Sequence, residues 1–445
     1  MKIGLIGNMN NNNFAIMRYF RDLGADAHLL LYSNDGKGTL SHFTPEADTW
    51  EVDRWAPFIH QTDIPNAPVA AFDFPLSTAV GLWAELRRIT GAQDCSVRAV
   101  TRAQLRRAYG GYDRLIASGS TPAALSRIGW ALDVFYPYEI GIEFLGSYAH
   151  ADSARDPWQR RLLYHALRRR QRRGVTRARC VLCTDREVTG LVLAQLGIPS
   201  IPQAIPMIYN RENVPEAPPT EVLATANCAS RGAGVTLLHH ARLMWKQGKS
   251  YASKEHLLSN KNSDWLIRAF ATLVASRPNL CPRLFIVEYG PDVEATKELV
   301  TQLGIHASVT WLPKMARREL MWLLSRVSIG VGEFMNPRCM IWGGTGWETL
   351  ASGKPLLQGF RFDDGEFENF YGYPPPPMLP VKTESDVLEH LLFVADHPGR
   401  AAEIGVRAQD WFNTHNGIAL AKRWLSLVTD SPKSKSPQPL HPSPC

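Results

Sequence analysis

Short apolar runs alternate along this chain with longer segments whose apolar positions recur at helical spacing. The opening run Lys2–Gly7 predicts a buried strand, the polar stretch Asn8–Asn13 a loop, and Phe14–Leu23 a helix. Gly24 follows, where a helix end favours a residue free to take positive φ, and Ala27–Tyr32 predicts the next strand. Arg114–Ala117, Val134–Tyr136 and Arg179–Cys183 continue the series. After the proline-rich, weakly patterned stretch Val214–Ser230 a second series starts with strand Val235–His239. Helix Ser263–Ala275 follows, with Trp265, Leu266, Ala269, Phe270 and Leu273 at helical spacing. Strands Arg283–Val287, Ser308–Leu312 and Ile329–Val331 then alternate with helices. Continuous apolar strands between helices imply parallel sheets covered on both faces. The expectation is an α/β protein of two Rossmann-like halves, with a crevice between their strand C-termini.

At 445 residues the chain exceeds what one core organises, which agrees with two domains. Its 45% apolar and 20% charged residues are ordinary for a globular protein. No uncharged apolar stretch reaches the length of a membrane-spanning helix, and the apolar start is too short for a signal peptide. Seven cysteines without a framework fit a reducing cytoplasm, and Cys180 and Cys183 read as two strand cysteines. The net charge of +7 is unevenly spread: ten arginines lie between Arg155 and Arg179, with no acid from residue 157 to 184. In Trp158–Arg173, Trp158, Leu162, Leu163, Ala166 and Leu167 share one side of a helix. Such a basic amphipathic helix is either an anionic membrane contact or a packed helix with a solvated face. No nucleic-acid motif accompanies it, so no nucleic-acid partner is expected.

Three clusters in the second half carry candidate chemistry. Arg242, in His239-His240-Ala241-Arg242-Leu243, stands after a strand, and Lys261 precedes a helix. Two such cations can neutralise a pyrophosphate. Lys246 is a rival for Lys261, but the run Asp264-Trp265-Leu266-Ile267-Arg268-Ala269-Phe270 favours Lys261. The second cluster is the turn Gly290-Pro291 after a strand, explained by turn chemistry alone. The third is Gly343-Gly344-Thr345-Gly346-Trp347-Glu348, ending in Ser352-Gly353-Lys354-Pro355. Its glycine-rich entry to a helix can bind phosphate oxygens, and Glu348 can accept from a ribose diol. His239 and His240 have no carboxylate at a diagnostic spacing, and a packing role is expected of them.

Together these clusters resemble the donor domain of retaining GT-B glycosyltransferases of the "glycosyl transferases group 1" type, from about Thr236 to Leu357. The resemblance implies two Rossmann-like domains facing each other across a cleft. It gives Arg242 and Lys261 the diphosphate positions, Gly290, Pro291 and Gly343 the turn and loop positions, and Glu348 the ribose position. Gly344, Thr345 and Gly346 complete the donor loop. The family's first glutamate falls on Met340, so Glu333 or Asn336 takes over the donor sugar, or activity is lost. On the acceptor side the resemblance points to Asn10, Asn11, Asn12 and Asn13 and to Glu139, although an Asn-rich turn and a surface glutamate are equally good readings of those residues. No metal and no cofactor is expected, the nucleotide sugar being a substrate. The expected activity is sugar transfer from a nucleotide sugar to an acceptor hydroxyl, with a glycan or lipid-linked acceptor. A nucleotide-sugar epimerase and a non-catalytic binding protein are the alternatives. The expected location is cytoplasmic or peripheral at the inner membrane face. Residues 1–225 and 226–413 are the expected domains, with 414–430 a helix returning to the first and 431–445 a disordered tail.

Overall fold

A computed structural model describes residues 1–33, 44–64, 100–137, 158–185, 189–246, 260–335 and 343–430. Chain contacts divide it into two units. The first comprises 1–37, 55–205 and 421–445; the second comprises 38–54 and 206–420.

The first unit is built on a parallel sheet ordered β3-β2-β1-β4-β5-β6-β7. Its strands are β1 (Lys2–Ile6), β2 (Asp26–Leu31), β3 (Ile59–Gln61), β4 (Arg114–Ala117), β5 (Val134–Phe135), β6 (Cys180–Cys183) and β7 (Ile201–Pro202). β1 lies between β2 and β4, and its residues from Ile3 to Ile6 are buried, which is why it reads as an unbroken apolar run. Helices α1 (Asn12–Asp22), α2 (Arg102–Tyr109), α3 (Thr121–Ser126) and α4 (Trp158–Arg177) accompany the sheet. α4 packs tightly on α3: Gln171 is buried, accepts from the Ala123 amide and donates to the Gly119 carbonyl. A Cβ on Gly174 would lie 2.1 Å from the Pro122 carbonyl oxygen, so the approach requires glycine. Within the described side chains of α4, Arg169, Arg172, Arg173 and Arg177 are exposed. The closing helix Gly417–Thr429 joins this unit from Ala421 onward, where the Trp424 indole donates to the Ala204 carbonyl and the Val428 carbonyl accepts from Arg114. Burial pushes the Cys180 and Cys183 thiols up to about 11 and about 12, which leaves them inert.

The second unit has a parallel sheet ordered β10-β9-β8-β11-β12-β13. It comprises β8 (Thr236–His239), β9 (Arg283–Val287), β10 (Val309–Leu312), β11 (Ile329–Val331), β12 (Leu356–Gly359) and β13 (Leu379–Val381). Helices α5 (Glu221–Ala229), α6 (Ser263–Ser276), α7 (Val293–Gln302), α8 (Arg317–Leu324), α9 (Gly344–Ala351), α10 (Glu384–Asp396) and α11 (Pro398–His415) cover it. Sequence order reverses between β8 and β11, which makes the C-terminal ends of those two strands the natural ligand crevice.

The division of the chain departs from the expected 225/226 boundary, and packing explains why. α5 lies in the stretch read as weakly patterned, and its Leu223 and Ala226 are buried with Leu238, Phe285 and Trp322 of the second core. Upstream, the Pro215 carbonyl accepts from the Trp322 indole. Residues 44–54 also join the second unit: the Glu212 carboxylate collects the Thr49 hydroxyl and the Trp50 and Glu51 amides, and Arg318 lies over the Trp50 ring. The tail 431–445 lies outside the described residues. Among those described, no helix is long and apolar enough to cross a membrane.

On the first sheet, His28 of β2 and His60 of β3 stack, with Nδ1 of His28 2.9 Å from Nε2 of His60. A hydrogen bond between two imidazoles needs one neutral acceptor nitrogen. Burial lowers both pKa values, and the neighbouring His28 lowers His60 further, against the raising pull of Asp26 on His28. Depressed histidine pKa values favour the neutral rings in the folded state, so their stabilisation is complete above the ordinary value of 6.5 and is lost as pH falls below it. Thermal unfolding of the wild type and His60→Phe will show this. The difference between the two midpoints changes between pH 8 and pH 5, and a constant difference would contradict the assignment.

Candidate functional site

Lys261, Glu333, His240, Arg317 and Glu348 gather at the ends of β8 and β11 and at the head of α9, whereas Arg242 and the Gly290-Pro291 turn form a separate contact between the loops after β8 and β9. Gly343 is the N-cap of α9, so Gly344, Thr345 and Gly346 form its first helical turn, not a free loop. First-turn amides point along the helix axis and carry its positive dipole end. Two groups of charges meet there.

The first group is Lys261 and Glu333. The Lys261 ammonium pairs with Oε1 of Glu333, which follows β11, and only 7% of the Glu333 side chain is exposed. A Cβ on Gly343 would stand 2.8 Å from that same oxygen, so the lysine, the carboxylate and the helix head converge. Lys261 is held from behind by its amide, which donates to the Met244 carbonyl at 2.8 Å, and Asn262 takes a left-handed φ of 46° to start α6.

The second group centres on Glu348, 5% exposed. Oε1 accepts from Arg317 Nε at 2.7 Å and Oε2 faces His240 Nε2 at 2.8 Å. Arg317 turns its Nη1 to Asp48 Oδ1 at 2.9 Å, so one half-buried guanidinium joins two buried carboxylates. Burial alone would raise the Glu348 carboxyl; the His240 hydrogen bond and the Arg317 charge outweigh it and hold the pKa at about 2. Burial likewise opposes the Arg317 charge, but Asp48 and Glu348 reverse its effect and raise the guanidinium above its ordinary value. Next to this, burial and the charges of His240 and Lys261 press His239 down to about 3, so it stays neutral. A Cβ on Gly344 would meet Glu348 Oε1 at 3.3 Å and Arg317 Nη2 at 3.6 Å, which ties the second group to the same helix head.

Arg242 is exposed at the loop after β8, and its Nη2 lies 3.5 Å from the Met244 sulfur. Gly290, at φ 123°, packs against this loop: a Cβ there would lie 2.9 Å from Arg242 Cγ and 2.3 Å from the Leu243 carbonyl oxygen. Pro291 is exposed beside it, and buried Asp292 receives the Trp245 and Lys246 amides at 2.6 and 2.8 Å. The Gly290-Pro291 turn therefore fixes the Arg242 loop. Lys246 itself is exposed, 4.0 Å from Glu298.

The packing role expected of His240 is corrected: its carboxylate partner is Glu348, 108 residues away, a pairing no spacing rule could reveal. Arg317 and Asp48 were missed by sequence reasoning. The available signal was Arg317 at the start of a helix after Pro313, indistinguishable from a solvated arginine. In the first unit Asn10 and Asn11 take left-handed φ of 51° and 58°, which accounts for asparagine there. Asn13 is buried, donates to the Ile6 and Gly7 carbonyls and accepts from the Tyr136 hydroxyl at 2.8 Å. Asn12 is buried, and its amide group has no partner among the described residues. Glu139, Asn336 and Met340 lie outside the described residues.

No family model matches the chain, and no curated protein matches it. Solved structures do. HepE of Anabaena in complex with UDP matches at a TM-score of 0.55 and 13% identity, over 97% of this chain and 100% of that one. Sucrose-phosphate synthase of Thermosynechococcus elongatus matches at 0.54 and 13%, over 96% and 98%. WaaG, a glycosyltransferase involved in lipopolysaccharide biosynthesis, matches at 0.50 and 14%, over 96% and 99%. The chain has the GT-B fold. Its two Rossmann-like units are the seven- and six-stranded parallel sheets described above.

Removing one partner of a buried charge network leaves the others uncompensated, at about 3–5 kcal/mol. Arg317→Met is expected to lower the unfolding free energy by about that amount in urea at pH 7. The part of the stability that comes from Glu348 is complete above the ordinary carboxyl value of 4.5 and is lost as pH falls towards 2. A change below about 1 kcal/mol would show that the network does not hold Glu348.

Proposed function

We propose that this protein is a glycosyltransferase that binds a nucleotide sugar in its second unit and passes the sugar to an acceptor hydroxyl. The observation that carries this reading is the convergence of the Lys261 ammonium, the α9 head at Gly343 and the buried Glu348 carboxylate at the β8–β11 crevice. Likeness to HepE, whose structures hold UDP and UDP-glucose, supports a nucleotide-sugar donor. The diphosphate would lie between Lys261, Arg242 and the first-turn amides of α9, with Gly290 and Pro291 shaping the Arg242 loop. The ribose would meet Glu348, held ionised by Arg317 and His240. Glu333 would serve the donor sugar.

The main contribution to rate would be stabilisation of charge on the departing diphosphate by groups already in place. We further assign retention of configuration, a metal-independent reaction and a glycan or lipid-linked acceptor, with Asn10–Asn13 and Glu139 on the acceptor side. The exposed arginines of α4 support docking on an anionic membrane surface, a setting that fits polysaccharide assembly on the cytoplasmic face.

Screening nucleotide sugars for nucleoside diphosphate release, with mass detection of the acceptor product, tests the activity. With the cognate donor, Lys261→Ala is expected to lower kcat by about 10²–10³-fold; wild-type turnover would remove Lys261 from the mechanism. Replacing Arg168, Arg169, Arg170, Arg172 and Arg173 by Gln should reduce co-sedimentation with vesicles rich in anionic lipid. Unchanged sedimentation would exclude the membrane surface.

A further inference from the structure

In the second unit an anion is already built in between a lysine and a helix N-terminus. One oxygen of Glu333 pairs with Lys261, and a Cβ on Gly343 would come within 2.8 Å of that oxygen. A cation on one side and a positive dipole end on the other make the environment that a phosphate group seeks. Glu333 thus has the surroundings of a bound ligand, not those of a side chain resting against protein.

The backbone beneath it is fixed to an unusual degree. The Gln358 side chain reaches from β12 to both polar groups of the Glu333 backbone, accepting from its amide at 3.2 Å and donating to its carbonyl at 2.8 Å. The Gly359 amide donates to the same carbonyl at 2.9 Å. One residue on, the Phe334 amide donates to the Lys261 carbonyl and the Phe334 carbonyl accepts from Asn262 Nδ2 at 2.7 Å. Glycine is required on both sides of the clamp: a Cβ on Gly332 would lie 1.8 Å from Gln358 Oε1, and one on Gly359 2.8 Å from the Glu333 carbonyl oxygen. The lysine and the carboxylate are therefore delivered to each other by their main chains, and the pairing is specified, not incidental.

We infer that Glu333 is an internal stand-in for the donor's diphosphate, neutralising Lys261 and the α9 head until an entering diphosphate displaces it. This rests on the assignment of the crevice as a diphosphate site. The exchange follows from charge. A lysine that is 14% exposed in its side chain is costly to leave unpaired, so the resting site carries its own counterion. A diphosphate bears more charge than one carboxylate and wins the shared donors, whereas a singly charged anion gains little over Glu333. The displaced carboxylate stays tethered by its clamped backbone at the edge of the site. Its oxygens, released from Lys261, then become acceptors for hydroxyls on the group the diphosphate carries. Phosphate entry and recognition of the attached group are in this way coupled through one side chain.

Inorganic pyrophosphate, which carries no base and no sugar, reads the exchange directly. Calorimetric titration of the full chain should show Glu333→Gln binding pyrophosphate about tenfold more tightly than wild type, about 1.4 kcal/mol, because the competing charge is gone. Glu333→Asp keeps that charge and should stay within about threefold of wild type. Unchanged or weaker binding in a Glu333→Gln protein with a wild-type melting midpoint would overturn the inference while leaving the diphosphate site standing, as would equal shifts in both variants. If neither wild type nor Glu333→Gln binds pyrophosphate, the diphosphate site itself is wrong and the inference falls with it. Should the Gln variant fail to fold, Glu333→Ser removes the same charge and is read in the same way.

Discussion

Ionised groups survive inside a protein only when each is matched at close range, and the second unit meets that constraint at the head of one helix. Arg317 bridges Asp48 and Glu348, His240 occupies the other Glu348 oxygen, and Lys261 faces Glu333. Every pair joins residues distant in sequence, so none forms until β8, β11, α8 and α9 are in register. The local fold and the charge pattern are thus two statements of one requirement. Small changes in either are felt in the other: Gly343 and Gly344 each border a carboxylate too closely for a larger residue to be added without displacement.

The sheet explains why the charges meet where they do. In a doubly wound sheet the loops after the two strands flanking the point of reversal diverge and leave a crevice between them. His240 and Arg242 come from the loop after β8, Glu333 from the loop after β11. α9 then enters the same crevice with its N-terminus, in line with the general use of helix ends to receive anions. The pairing of β8 with β11 through His239 and Val331 brings the two loops side by side. Fold and candidate chemistry share one origin.

Much of this was legible in the sequence wherever the signal was local. β4, β9 and β11 begin and end where the sequence places them, because a parallel strand inside the sheet buries nearly every residue, and α6 does so within one residue. Lys261 and the Gly343 turn stand out by their places at helix starts, and Glu333 only as one of two substitutes that the resemblance calls for at Met340; the structure puts the three near one another. What could not be read was pairing across distance. Arg317 has the surroundings of any surface arginine in the sequence, and His240 lacks a nearby acid. β3, β7 and β13 escaped notice because they are short edge strands, two of them with proline. α5 was hidden by the prolines around it, although Thr220 caps it by accepting from the Leu223 amide.

The excursion of residues 44–54 into the second unit has a consequence for how the protein is made. Asp48 leaves the ribosome early, whereas its partner Arg317 emerges 269 residues later. Glu212, which binds Thr49, Trp50 and Glu51 of the same segment, emerges well before Arg317, so the segment is secured in two stages, the charge pair last. Closure over such a separation belongs to the slow, late steps of acquiring structure. A nascent chain arrested before α8 would carry the strands of the first sheet but only β8, β9 and β10 of the second, and an unfinished charge network. For the same reason no continuous stretch cut from the C-terminal half reproduces the whole second unit; a faithful excised version must be given the Asp48 segment as a separate or grafted piece.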